Sequence, residues 1–234
     1  MKKIRRSADR GHADHGWLDT HHTFSFASYH DSEHLGFRAL RVLNEDRVAA
    51  GRGFGEHPHR DMEIVSIVLD GALEHRDSMG TGSVLRPGHA QAMSAGTGVV
   101  HSEFNGSKTD PVHFLQIWIQ PETSGTKPRY DERYFEPASM ENQFALVASH
   151  DGADGSIVIG RDVRMWRGQW TSKADADLAL KSAGRHAWVH VIRGSATVDG
   201  EELFAGDAVG LNNVDSVKVG PGDQGADVLV IDLD

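Results

Sequence analysis

Cysteine is missing from all 234 residues. That excludes disulfides, zinc–thiolate sites and thiol nucleophiles, so any metal must be held by nitrogen and oxygen. Long apolar runs are missing too; no stretch approaches the roughly 18 residues that read as a membrane span. The opening segment, MKKIRRSADRGHADHGW, has the positive charge of a signal peptide's first region but not the apolar core that should follow it. Export is therefore not expected, and a cytoplasmic location, which suits a chain without cysteine, is. Basic residues are in deficit, 24 against 34 acidic, for a formal net charge of −10. Non-specific nucleic acid binding draws its affinity from phosphate contacts, so direct binding of nucleic acid is not expected, and neither is a membrane partner.

Helical signals are scarce as well. The 26 glycines act as regular punctuation, and between them lie short runs that alternate apolar and polar residues. MEIVSIVLDG (62–71), HFLQIWIQP (113–121), AWVHVIRGSATVDG (187–200) and DVLVIDLD (227–234) are the clearest. Evenly spaced short strands of this kind predict an all-β chain built on barrels or sandwiches. The best helix candidate is SKADADLALKS (172–182), short and peripheral.

The chain also echoes itself. IVSIVLDGALEHRD is followed by LRPGHAQAMSAG, and much later VHVIRGSATVDG is followed by LFAGDAVGL. In each half an apolar strand is read as ending in glycine, at Gly71 and Gly194. A second strand follows, and a small turn (Pro87-Gly88-His89, Ala205-Gly206-Asp207) opens a third. Two related β-barrels are expected, at 1–130 and 145–234, with a polar linker over 131–144 and a last strand that packs on the first barrel.

Histidine is abundant, with 15 copies. His57 and His59 are two apart, so on a strand they share a face and can reach one ion. Glu63 has the same parity if that strand continues. About forty residues on, SAGTGVVHSEFN offers His101 and Glu103, again two apart. Two strands that each present such a pair inward can meet in one small barrel and supply four ligands. Counting the same distances from Gly194 and Gly206 lands on Leu180, Ser182, Val219 and Pro221, so the second barrel is expected to lack the site. His75, His89, His150, His186 and His190 read as lacking a paired partner at ligand spacing and so as satisfied strand or surface histidines. HHTFSF either lines the pocket mouth or is a solvated loop. One face of strand 113–120 should line the site, and the sequence leaves open which.

His57-x-His59-x-x-x-Glu63 with Gly71, and Gly98-x-x-His101-x-x-x-Asn105, resemble the two conserved motifs of the cupin superfamily. The glutamate two past the second-motif histidine, with HGW, HTFSFASYHD and QIWI, makes the full chain similar to the pirin family, including its bacterial members. That resemblance implies a bicupin of two double-stranded β-helix barrels. It implies His57, His59, His101 and Glu103 as the metal ligands and a second barrel without metal. Glu63 then supports the site from behind or is structural, and Asn105 caps or bridges a turn. The metal is one divalent ion per chain, iron first, with copper, nickel, manganese or zinc also suited to such donors.

For function, resemblance to bacterial pirins with quercetinase activity implies a dioxygenase that opens the ring of a flavonol such as quercetin with release of carbon monoxide. Its substrates would be a small aromatic, flavonol-like molecule and dioxygen, with Glu103 as general base. Two alternatives stand beside it. One is a non-enzymatic, metal-dependent regulator with an unidentified protein partner; the other is different cupin chemistry on a small metabolite.

Overall fold

The computed structural model describes residues 2–171 and 174–234. In chain order the strands begin with β1 (Lys2–Arg5), β2 (Gly11–Asp14), β3 (Leu18–His22), β4 (Leu40–Val48), β5 (Gly53–His59) and β6 (Glu63–Asp70). They continue with β7 (Leu73–Asp77), β8 (Gly82–Leu85), β9 (His89–Ser94), β10 (Val99–Asn105), β11 (Val112–Ile119) and β12 (Arg129–Tyr134). After the one-turn helix α1 (Pro137–Met140) come β13 (Phe144–Ser149), β14 (Ile157–Val158), β15 (Val163–Trp170) and β16 (Ala176–Ala179). β17 (Arg185–Val198), β18 (Glu201–Phe204), β19 (Ala208–Val214) and β20 (Ser216–Leu233) complete the chain. It divides into two compact units, one formed by Gly11–Tyr134 with Ile157–Arg161, the other by Met1–Arg10, Phe135–Ser156 and Asp162–Asp234. Residues 131–144 contain most of β12, all of α1 and the first residue of β13.

The first unit is a double layer of antiparallel strands. Seven strands run in the order β12-β9-β6-β11-β4-β3-β2, and four in the order β5-β10-β7-β8. The two layers share a core: Leu18, Val48, Val68, Val112 and Phe114 of the larger sheet pack with Leu73 and Leu85 of the smaller. Alternation does this directly, because β10 reads buried at Val99, His101, Glu103 and Asn105 while Val100 and Phe104 are exposed. β5 is an edge strand, which is why Pro58, with no N–H to donate, is tolerated inside it.

The second unit is one sheet, β1-β19-β17-β20-β15-β13, with β18 added to β17 and β16 to β20. Its interior is apolar, with Leu180, Val189, Val191, Leu203, Val217, Val219 and Val228 in one cluster. Leu180 and Val219 fall where the internal echo puts the counterparts of His57 and His101. Both are packed among apolar side chains.

Three expectations are corrected. Gly71 does end its strand, but Gly194 lies inside β17, at a register shift opposite Ala226. Both have positive φ, 79° and 73°, so one backbone bend serves as a strand end in one unit and a mid-strand corner in the other. Secondly, the strand holding His57 and His59 does not continue to Glu63; it stops at His59, turns at Asp61 (φ 48°), and Glu63 opens β6 in the other sheet. Thirdly, SKADADLALKS is not a helix over its described part. Ser172 and Lys173 lie outside the described residues, and Ala176–Ala179 is a strand paired with Ser216–Val219 of β20. That pairing buries Leu178 in the apolar core, an outcome that outweighs the helix propensity of alanine and lysine.

Candidate metal centre

β5 and β10 are antiparallel neighbours, and His101 lies directly opposite His57. Between His101 and Glu103 the register slips, so that Glu103 faces Phe54. Such a bulge re-aims a side chain. The three imidazole rings of His57, His59 and His101 are 4.4 to 4.8 Å apart by centroid. One nitrogen from each lies within 4.8 Å of the others. The two facing nitrogens, His101 Nε2 and His57 Nε2, are 3.0 Å apart. Two imidazole nitrogens each about 2.1 Å from one ion, at right angles, stand roughly 3.0 Å apart, so this spacing fits shared coordination. His57 Nδ1 points away and sits 2.8 Å from the Gly55 carbonyl oxygen, which fixes its proton there and leaves Nε2 as the lone pair.

Glu103 is 1% exposed and His101 2%. The Glu103 carboxylate accepts hydrogen bonds from Ser66 Oγ (3.2 Å), Gln91 Nε2 (3.1 Å) and Gln116 Nε2 (2.6 Å). Burial pushes its pKa up to about 7; the Ser66, Gln116 and Gln91 bonds oppose the rise, and the Asp46 charge adds to it. A buried carboxylate under that strain is one that a nearby cation stabilises. Burial first, and the neighbouring imidazoles second, push His59 down to about 4 and His101 down to about 2, so both rings are neutral and able to ligate.

A second group of potential ligand atoms within 4.8 Å of one another is His75, His101 and Glu103. The structure thus brings the three imidazoles together as one set and joins Glu103 to it through His101. His75, which reads as an ordinary strand histidine in the sequence, is fully buried in this wall and lies opposite Glu103 in the β7–β10 register. Sequence reasoning did not place it beside the candidate ligands. A third group, His12, Asp19 and His21, is more exposed, with the two rings stacked at 4.5 Å.

Glu63 is buried elsewhere, accepting from Ser94 Oγ at 2.6 Å with Arg129 3.7 Å away. Asn105 does turn-bridging work: its amide donates to the Val48 and Asp110 carbonyl oxygens, and its own oxygen accepts from the Ser107 N–H.

His57, His59 and Glu103 open on a cavity of about 280 Å³. Its polar end holds His57, His59, Glu103, Gln116, Asn44, Asp46 and Thr20, and its walls include Leu18, Phe26, Phe54 and Trp118. The even face of β11, with Gln116 and Trp118, is the one that lines the site. Trp118 donates to Gln116 Oε1 (3.1 Å) and meets His59 and Phe26 edge-on. His15, His22 and Phe26 of the N-terminal histidine-rich segment also line it, His22 being held 3.0 Å from Asn44 Oδ1. A more open depression of about 610 Å³ in the other unit, between Asp175, Thr197 and Lys218, is larger and contains no histidine. Size alone does not pick the site; converging titratable groups do.

One unit of two antiparallel layers with a histidine-lined cavity and a second all-β unit with an apolar core fit a bicupin. Comparison with known proteins agrees. The pirin family model matches residues 3–119, and the model for the quercetinase C-terminal cupin domain matches residues 146–233. The chain is 42% identical over 234 residues to the quercetin 2,3-dioxygenase of Escherichia coli strain K12, covering 100% of this chain and 99% of that one. Among solved structures, YhhW from Escherichia coli superposes with a TM-score of 0.95 at 41% identity, covering 100% of this chain and 98% of that one. The bacterial pirin YhhW in complex with nickel(II) gives 0.93 at 41% identity, covering 100% and 99%. The chain belongs to the pirin family.

Proposed function

We propose that this pirin is a metal-dependent dioxygenase that opens the ring of a flavonol-like substrate, with one divalent ion held by His57, His59, His101 and Glu103. The observation that carries the reading is the convergence of three imidazoles, with a buried carboxylate joined to them through His101, beside a partly aromatic cavity that His57, His59 and Glu103 line. The 42% identity to a quercetin 2,3-dioxygenase supports the substrate class. Iron is the first choice of metal, and nickel, copper, manganese and zinc suit the same nitrogen and oxygen donors. The absence of cysteine favours the cytoplasm as the location.

When bound, the ion supplies Lewis acidity toward an enolic hydroxyl of the substrate. The residues do the rest. Phe26, Phe54, Leu18 and Trp118 hold flat aromatic rings and keep water away from the polar end. Glu103, a buried carboxylate beside the imidazoles, is the group that would take the hydroxyl proton as general base. Gln116 and Gln91 keep its carboxylate aimed while that proton is held. In the net reaction both atoms of dioxygen enter the product and one ring carbon leaves as carbon monoxide, so no external electron donor is needed.

The test is turnover of quercetin with simultaneous oxygen consumption by protein loaded in turn with iron, copper, nickel and manganese. Wild type is expected to consume both. Glu103→Gln and His59→Ala are expected to lose at least the 10- to 100-fold that removal of a supporting residue around a metal costs. Wild type that consumes neither quercetin nor oxygen with any of the four metals contradicts the reading.

A further inference from the structure

We propose that Asp77 and His75 are positioning residues that set the tautomer of His101, so that its Nε2 lone pair faces the ion. The inference rests on the reading of His101 as a ligand. It begins at the turn after β7. There the Asp77 Oδ1 accepts from the backbone N–H groups of Met79 (2.9 Å) and Thr81 (3.0 Å), which pins the carboxylate. Asp77 Oδ2 lies 3.1 Å from His75 Nε2, and both side chains are fully buried. An ionised carboxylate only accepts, so His75 carries its proton on Nε2 and its Nδ1 is a lone pair. Tyr130 stacks on the His75 ring at 4.7 Å and 26°, holding its plane.

His75 Nδ1 and His101 Nδ1 are both buried and have no hydrogen-bond partner. The two rings are neighbours, 5.3 Å apart by centroid and tilted by 55°. A ring nitrogen of each, with a carboxylate oxygen of Glu103, lies within 4.8 Å of the others. A small ring shift closes that gap with one direct N–H···N hydrogen bond. The chain then has one direction. His75 Nδ1 accepts, His101 Nδ1–H donates, and His101 Nε2, 3.0 Å from His57 Nε2, is left with its lone pair toward the cluster. A metal-ligating histidine generally gives its other N–H to a carboxylate, carbonyl or water. Here the carboxylate is reached through a second imidazole.

Two variants test this, with zinc affinity read by competition against a chromogenic chelator. In D77N the two backbone N–H groups keep the amide oxygen, so the amide NH₂ turns to His75 Nε2. His75 must then protonate Nδ1, and the His101 proton is driven to Nε2, where the ion belongs. H75F cuts the chain while filling the space. Each is expected to lower zinc affinity 10- to 100-fold, and the double variant is expected to fall no further than H75F, because one relay is cut twice. ¹⁵N-histidine NMR of zinc-loaded wild type, which needs no variant to fold, is expected to find His75 protonated at Nε2 alone. Wild-type affinity in folded D77N and H75F, or a proton on His75 Nδ1, overturns the relay. If H101A loses zinc while D77N and H75F keep it, the relay fails and the site stands; if H101A binds zinc like wild type, the site reading itself fails.

Discussion

His101 has a buried histidine on each side, His57 across one strand pairing and His75 beside the other, and that follows from strand position. β10 is paired on both sides, to β5 and to β7, so its inward side chains meet groups from two strands. The candidate ligand pairs were legible because a period of two puts His57 with His59 and His101 with Glu103. The same rule applied to His75 and Asp77, two apart in EHRD, but a carboxylate paired to a histidine does not look like a ligand pair, and the signal went unread. Glu63 failed for the opposite reason, since parity holds only while a strand lasts and the turn at Asp61 ends it. Asp46, on the cavity wall, supplies a prediction of its own. Burial raises its pKa from an ordinary 3.8 to about 7, opposed by the hydrogen bond from Thr20 and reinforced by the Glu45 and Asp19 charges. The native state therefore keeps a proton that the unfolded chain releases near pH 4. Stability is lost as pH rises from about 4 to about 7, by up to roughly 4 kcal/mol, and levels off above that. Asp46→Asn has no such proton to lose. Urea unfolding of metal-free protein should show D46N gaining on wild type by that order between pH 4 and pH 7; a difference that stays constant across this range contradicts the assignment.

Single elements carry the barrel geometry, and here glycine has specific work. β17 and β20 are long strands that bend where Gly194 and Gly225 meet. A Cβ on Gly194 would stand 2.1 Å from the Gly225 carbonyl oxygen, and one on Gly225 would stand 2.0 Å from that of Trp170. Both positions also have positive φ. Gly194→Ala is expected to cost on the order of 3 kcal/mol, since backbone collision adds to left-handed strain. The measurement is the denaturation midpoint, and a loss below about 0.5 kcal/mol contradicts the role of the corner. The sequence marked these glycines as punctuation, but punctuation does not say whether a strand ends or turns a corner. That depends on whether the partner strand continues past the bend, as β20 does. β16 was misread for a similar reason. Its Ala176-Asp177-Leu178-Ala179-Leu180 run alternates inward and outward, yet it is composed of helix formers, and only pairing with β20 decides between the two.

At the scale of the whole molecule, one architecture appears twice with different fillings. The two-barrel plan was readable from repeated strand and turn signals, and the four candidate ligands from two short motifs. The cavity was not readable, because its walls come from β3, β4, β5, β10 and β11 and from the segment around Phe26, which only the folded sheet brings together. Nor did the sequence fix the parity of β11, since the strand is largely buried on both faces. The second unit's counterpart positions, Leu180 and Val219, are packed into hydrocarbon. One ion per chain is therefore expected, and in the first unit. Anomalous diffraction at the metal edge, from crystals loaded with iron or nickel, measures this most directly. The expected result is a single strong peak in contact with His57, His59, His101 and Glu103. A peak at His12, Asp19 and His21 alone, or an ion held by the three histidines with Glu103 out of reach, would contradict it.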